Sequence, residues 1–259
     1  MYSYISPTPF TLLLFAGILV FLEAGRQLGL RRRAKVTEAD RAGLGAIEGA
    51  VFALWGLILA FAFSGAASRL DARRALIAEE VNAIGTAYLR IDLLAPAQQA
   101  AMRDLFRKYV DSRLAVYGAL PDLEAAKRAL AQSNGIQAEI WKQANGSLAT
   151  TGAHPSTAVL LLPALNQMFD ITTTRTMAAL IHPPNVIYYL LFFLGLCSAV
   201  FAGYASAVSP RRSWFHIVGF SAVAVITVFI ILDLEYPRRG FITIDQYDQF
   251  LVDLRDSMK

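Results

Sequence analysis

Residues 49–68 read GAVFALWGLILAFAFSGAAS and contain no Lys, Arg, Asp or Glu. An α-helix rises about 1.5 Å per residue, so roughly 20 such residues cross the ~30 Å hydrocarbon core of a bilayer. Two further uncharged runs lie at residues 186–208 and 213–232, and a shorter one lies at residues 9–22. The sequence therefore predicts a multi-pass protein of the cell (inner) membrane with four spans.

The second span continues without a break into the polar stretch RLDARRALIAEEVNAIGTAYLR at residues 69–90. Apolar residues recur there at spacings of three, four or seven, which predicts a long helix with a coiled-coil-like seam outside the bilayer. This seam contains Leu70, Ile77, Val81, Ile84, Tyr88 and Ile91. Pro96 is typical of the first turn of another helix.

Two more helices are expected beyond the helix that begins at Pro96. They cover about residues 121–144, with a break at Asn134–Gly135, and about residues 156–181. We find no alternation typical of a β-strand. The expected fold is all-α: a four-span transmembrane protein with a helical extramembrane segment between spans two and three.

The sequence pattern predicts that the chain has four parts. Residues 1–68 form spans one and two with a short basic loop, and residues 69–184 form a helical extramembrane domain. Residues 185–234 form a hairpin of spans three and four, and residues 235–259 form a polar C-terminal tail.

Basic residues in short loops predict the orientation, because such loops stay in the cytoplasm. The first loop carries Arg31, Arg32, Arg33, Lys35 and Arg41, and the loop between spans three and four carries Arg211 and Arg212. The N-terminus and the 69–184 segment are then expected outside, in the periplasm. Arginines that follow span two on this outer side favour the opposite orientation.

The composition of the chain excludes several classes of function. The chain is 56% hydrophobic and 17% charged, and its formal net charge of +4 comes with basic residues clustered beside the spans. This pattern indicates lipid headgroups rather than nucleic acid as the partner. The single cysteine, Cys197, excludes an internal disulfide or a cysteine zinc cluster. Without a set of nucleophile, base and oxyanion donor, we expect no enzyme, metal or cofactor.

A few polar residues are candidate sites. Glu48 lies at the entrance of span two, where a carboxylate is expensive to bury unpaired. On the last external helix, Asn166 and Asp170 share a face with Arg175 nearby. They either contact an ion or ligand or are structural, with Asp170 paired to Arg175 or to an arginine of the first external helix. The remaining ligand or structural candidates are Glu79, Glu80 and Asp233.

Glycine spacing predicts close helix packing in two places. Small residues recur every fourth position in span three, at Gly195, Ala199, Gly203 and Ala207, so they share one helix face. Gly45 and Gly49 have the same spacing at the start of span two.

Several of these segments together resemble the bacterial bestrophin-like domain family. They are AEEVNAIGTAYLR (residues 78–90), LNQMFD (residues 165–170), Arg175, the Pro-Pro pair at 183–184, and a closing pair of spans that ends in Asp233 and Gly240. The resemblance covers about residues 48–240. It implies similarity to bestrophins, which are pentameric anion channels lined by their second span. Bestrophins keep the segment between spans two and three in the cytoplasm, unlike the orientation expected here.

On that analogy, span two supplies the pore. The candidate constriction residues are Phe52, Trp55, Phe61 and Phe63, and charged rings would form at Glu48 and at Arg69, Arg73 and Arg74. The first hypothesis is therefore an oligomeric ion channel, with lipid, further copies of the chain and inorganic ions as partners. The alternative is a non-conducting sensor or scaffold that binds a partner or ligand through its extramembrane domain.

Overall fold

The computed structural model describes residues 5–32, 38–148, 154–207, 212 and 214–258, with only the backbone of residues 38–42. Within these residues the chain is helical and has no strand. The helices are α1 (Pro7–Arg32), α2 (Glu38–Leu89), α3 (Pro96–Gly118), α4 (Leu123–Leu148), α5 (Thr157–Leu180), α6 (Asn185–Ser206), α7 (Trp214–Glu235) and α8 (Gln249–Ser257). The predicted all-α class is confirmed.

The protein is a multi-pass membrane protein. Four helical stretches of the described chain are long and apolar enough to cross a bilayer: Pro7–Arg32, Gly43–Leu93, Thr157–Ser206 and Trp214–Glu235. Their number agrees with the sequence prediction. Helix α2 is 52 residues long, which confirms that span two continues as one long helix.

The chain forms two compact units. Unit 1 contains Met1–Arg69 and His182–Tyr236, and unit 2 contains Leu70–Ile181 and Pro237–Lys259. Helix α2 passes from the first unit into the second. The loop residues Arg33, Lys35 and Arg211, which contribute to the predicted orientation, lie outside the described part of the chain.

In unit 1, α1 and α6 are in backbone contact. A Cβ at Gly203 would overlap the carbonyl oxygen of Leu22, and a Cβ at Gly25 would overlap that of Val200. Ala199 is fully buried on the same face of α6. The predicted packing face of span three is confirmed, and α1 packs against much of it.

Span two is the least covered of the four spans. Only 6% of its most apolar window is buried within the chain, against 28–39% for the other three. A Cβ added at Gly45, Gly49 or Gly56 would meet no atom within 4 Å. The Gly45–Gly49 pair therefore makes no close helix contact with the described residues of this chain.

Unit 2 has a continuous apolar core, and the C-terminal part of α2 is buried in it. Ile84, Tyr88 and Ile91 pack in one cluster with Met102 and Phe106 of α3. The apolar seam that the sequence predicts packs against helices of its own chain.

Two further details differ from the sequence prediction. Helix α4 runs unbroken through Asn134–Gly135, so the predicted break is absent. One glycine costs a helix only about 1 kcal/mol relative to alanine. Burial of Ser133 and Ile140 on either side holds this part of the helix in place. In addition, the C-terminal tail is folded, with Leu251 of α8 fully buried in the core of unit 2.

Candidate functional site

Unit 2 is built around a buried carboxylate, Glu80 of α2. Its Oε1 accepts a hydrogen bond from Arg113 Nε at 2.6 Å, and its Oε2 accepts one from the Tyr117 hydroxyl at 2.8 Å. Arg175 of α5 also donates to Oε2. Glu80 and Arg113 are fully buried, so α2, α3 and α5 are joined by one ionic cluster.

The electrostatics of this cluster keep Glu80 ionised. Burial raises the pKa of Glu80, but the charges of Arg113 and Arg175 outweigh that effect and hold it below the usual value. Burial, together with the Glu80 carboxylate, raises the pKa of the Tyr117 phenol, which therefore stays neutral. The cluster is a charged structural centre at neutral pH.

The C-terminal segment completes the cluster. Asp248 Oδ1 accepts a hydrogen bond from Arg175 Nη2 at 3.0 Å, and Asp248 Oδ2 accepts one from Arg238 Nη1 at 2.8 Å. The Arg175 guanidinium stacks on the Tyr117 ring, 3.5 Å from its centroid. The segment after α7 is thus tied to the core of unit 2 by charge as well as by apolar burial.

The sequence left open Arg175 or an arginine of the first external helix as the partner of Asp170, but Asp170 forms no ion pair with any described residue. Asp170 and Arg175 are five positions apart on α5, which places them about 140° apart around the helix. Arg175 points into the buried cluster, whereas Asp170 is exposed.

Sequence reasoning missed four residues of this cluster: Arg113, Tyr117 as a polar partner, Arg238 and Asp248. One signal was available. Buried positions on α3 recur at spacings of three and four, and a charged residue falls in phase with them, at Met102, Phe106, Tyr109, Arg113 and Tyr117. A charge inside an apolar helix stripe indicates a buried ion pair, because an unpaired one would be too costly. No such pattern marks Asp248.

A groove between α2 and α5 brings several sequence candidates together. It has a volume of about 640 Å³ and receives Glu79 and Asn82 from α2. The two segments that carry the family resemblance, at residues 78–90 and 165–170, both contribute to this groove. From α5 it receives Pro163, Asn166, Gln167, Asp170, Ile171 and Thr174, with Ala83 of α2 completing the wall.

The three arginines after span two do not form one cluster. Arg69 pairs with Glu235 at 2.7 Å. Arg73 is buried and donates at 3.1 Å to the carbonyl oxygens of Ala178 and Ile181. It therefore caps the C-terminal end of α5, where free carbonyl groups attract cations. Arg74 makes a 3.2 Å ion pair with Asp71 and lies 5.3 Å from the ring of Tyr247. Each arginine of the predicted ring is engaged inside its own chain.

A second buried carboxylate lies at the end of α7. Glu235 is fully buried, and besides Arg69 it contacts the Nδ1 of His182 at 2.9 Å. The His182 ring also packs on Tyr236, with centroids 4.7 Å apart. His182 has no acidic residue near it in the sequence, but the fold supplies Glu235 of α7. The sequence candidate Asp233 is likewise buried, two residues before Glu235.

The aromatic residues of span two have different environments. Trp55 is buried, and its Nε1 donates to the Leu191 carbonyl oxygen of α6 at 3.1 Å. Phe52 packs edge-on against Phe220 of α7, at 5.8 Å between centroids. By contrast, Phe61 is 69% exposed and Phe63 is 45% exposed. Trp55 and Phe52 are therefore engaged in packing between the spans of one chain.

Glu48 shares the inner side of α2 with Trp55. The two residues are seven positions apart, or about 20° around the helix, and Glu48 is half-buried. The other side of span two carries what we call the small-residue face. It consists of exposed residues at spacings of three or four: Gly49, Ala53, Gly56, Ala60, Ser64 and Ser68.

These features define a helical membrane protein with four candidate spans and two compact units. The chain belongs to the Bestrophin-like family, whose Bestrophin-like domain model matches residues 13–247. No curated protein and no solved structure matches the chain.

Proposed function

We propose that the protein is an oligomeric ion channel in which span two of several copies surrounds the axis. The observation that carries this proposal is the exposure of span two, because only 6% of its most apolar window is buried within the chain. Membership of the Bestrophin-like family and the resemblance to channels lined by their second span point the same way.

The residue types on the exposed surface of span two also favour packing between copies. Small residues let membrane helices approach closely, and the small-residue face presents them over about five turns. Its last two positions, Ser64 and Ser68, add hydroxyl groups that suit a wet surface. Because α2 supplies this face in every copy, the contact would be among equivalent helices around a closed axis.

Within this arrangement we assign the constriction to Phe61. It is the most exposed of the four aromatic candidates of span two and borders the small-residue face. Trp55 and Phe52 are left out of the lining because they pack on α6 and α7. Ion selectivity is not assigned to Arg69, Arg73 and Arg74, since their charges are engaged within the chain.

The test is ion flux from liposomes that contain the purified protein, with the oligomeric mass measured on the same sample. Phe61→Ala should change the flux, because it removes the ring from the constriction. The matched control is Phe215→Ala, which truncates an 85% exposed aromatic residue of α7. Equal effects of the two variants, or a defined oligomer of the wild type without flux, would contradict the proposal.

Glu48→Gln distinguishes between two positions of the conducting path, one on each side of α2. Glu48 lies on the side of α2 that faces the chain's own spans, so its neutralisation should change flux less than Phe61→Ala does. A larger effect of Glu48→Gln would place the conducting path on the inner side of α2 instead.

We also propose that unit 2 lies outside the cytoplasm, in keeping with the basic loops. Lys127 is an exposed residue of unit 2, and Cys197 is the only native cysteine. In a Cys197→Ser background, Lys127→Cys should react with an impermeant maleimide in cells with a permeabilised outer membrane. Labelling only after the inner membrane is also broken would reverse the orientation.

A further inference from the structure

We propose that the groove between α2 and α5 in unit 2 binds a linear aliphatic amine with two or more ammonium groups. This ligand class follows from the volume of the groove, its charge and its apolar wall. The proposal concerns binding to unit 2 and does not depend on whether the protein conducts ions.

The groove contains two carboxylates without a protein cation. Glu79 and Asp170 are exposed on opposite walls, and neither forms an ion pair or a side-chain hydrogen bond with any described residue. The nearby guanidinium of Arg175 is already occupied by Glu80 and Asp248. The groove therefore has an uncompensated charge of about −2.

The other polar groups of the groove are suited to an ammonium ligand. Asn82, Asn166 and Gln167 line the same space, and their side-chain amides make no hydrogen bond within the described chain. Each amide oxygen can accept a hydrogen bond, and an ammonium group offers up to three donors and no acceptor. Two carboxylates and three amide oxygens can together satisfy two ammonium groups.

The apolar lining selects among cations. Ala83 and Ile171 are buried residues of the groove wall, and they offer a surface for methylene groups between two charged ends. A volume of about 640 Å³ is within the range of small-molecule sites. The described residues contain no group of three or more His, Cys, Asp or Glu side chains that could hold a metal ion. A divalent metal ion needs about six closely placed oxygen ligands, so it fits the groove less well.

The experiment measures spermidine binding to the full-length protein in detergent by calorimetry, with ion flux measured separately. Binding should be saturable and should weaken with salt, as exposed charge pairs do. Glu79→Gln and Asp170→Asn should each weaken it roughly two- to fivefold, in keeping with the small free energy of an exposed ion pair. The double variant should weaken it more than either single change.

The control is Glu139→Gln, which neutralises an exposed carboxylate of α4 away from the groove. It should bind spermidine as the wild type does. A second variant, Gln167→Lys, places a tethered ammonium group in the groove and should compete with spermidine without removing any carboxylate.

Three results would overturn the proposal. One is the absence of saturable binding to the wild type, and another is a loss in Glu139→Gln as large as in the groove variants. The third is full displacement of spermidine by magnesium chloride at matched ionic strength, which would indicate a general cation surface. A protein that binds spermidine without ion flux would support this site while contradicting the channel proposal.

Discussion

Glu79 and Glu80 are adjacent in sequence but lie in opposite environments. One is exposed in the groove and has no cation partner among the described residues, and the other is fully buried between two arginines. Successive residues of a helix point about 100° apart, so a single step moves a side chain from the surface to the core. The pair therefore allows a matched experiment in which the same substitution is made at both positions.

Glu80→Gln should strongly destabilise the protein, because it leaves Arg113 and Arg175 buried without their shared counter-charge. Breaking a buried ion pair costs about 3–5 kcal/mol. Glu79→Gln should change stability by less than about 0.5 kcal/mol, as exposed substitutions usually do. Thermal unfolding of the detergent-solubilised protein at pH 7 measures both, and equal melting temperatures for the two variants would contradict the role of Glu80.

The stability difference between the wild type and Glu80→Gln should depend on pH with a defined sign. The pKa of Glu80 is lowered in the folded protein, so its stabilisation is fully present above the unfolded carboxyl pKa of about 4.3. It is lost as the pH falls below that value, through the depressed pKa of the folded state. The gap in melting temperature between wild type and Glu80→Gln should therefore narrow between pH 5 and pH 3. A gap that stays constant over this range would show that Glu80 is not the titrating group.

At the scale of the helices, the sequence pattern predicted local features, namely where the helices lie and which of their sides are buried. Uncharged runs gave the spans, and the seam from Leu70 to Ile91 gave the buried side of α2. The spans follow from the length and composition of the runs and the seam from helix periodicity, and the sequence contains all of these directly. The proline at position 96 likewise marked the start of α3, where its missing N–H has no cost.

What the spacing did not predict is which helices meet. The small residues of α6 indicated close packing, yet nothing in their spacing identified α1 as the partner. Asp170, nearby on α5, was one candidate partner of Arg175, but Arg175 pairs with Glu80, 95 positions earlier, and with Asp248. Long-range pairs depend on the tertiary fold, and one sequence carries little information about it. The groove is a partial exception, since the sequence alone marks Glu79, Asn166 and Asp170 as candidates and all three line it.

The contact between α1 and α6 predicts that one added methyl group will strongly destabilise the protein. Gly203→Ala places a Cβ against the backbone oxygen of Leu22, which is unable to rotate away as a side chain would. Overpacking of this kind costs about 1–3 kcal/mol. Gly219→Ala in α7 is the control, because a Cβ there would meet no atom within 4 Å. That variant should unfold at the wild-type temperature or slightly above it, since alanine favours the helix. If Gly203→Ala is equally neutral, the close contact of α1 with α6 is wrong.

At the scale of the whole molecule, the decisive question is what covers the small-residue face of α2. Lipid can cover an apolar helix surface without any loss, so exposure within one chain does not by itself require a second copy. Lipid and a second copy of α2 differ in whether they accommodate a larger side chain. A lipid-facing position accepts a large apolar side chain, whereas a close contact between helices does not.

The double variant Gly49→Leu, Gly56→Leu uses this difference. A Cβ at either position would meet no atom of another described segment within 4 Å, so the fold and melting temperature of the single chain should be unchanged. If copies of α2 pack through this face, the added side chains force them apart, and the mass measured by light scattering should shift to smaller species. Gly219→Leu is the control, because it adds the same bulk at an uncovered position of α7 and should leave the mass unchanged. A double variant with the wild-type mass and the wild-type flux would mean that lipid covers the small-residue face, and the axis of any oligomer would then have to be sought at another surface of unit 1.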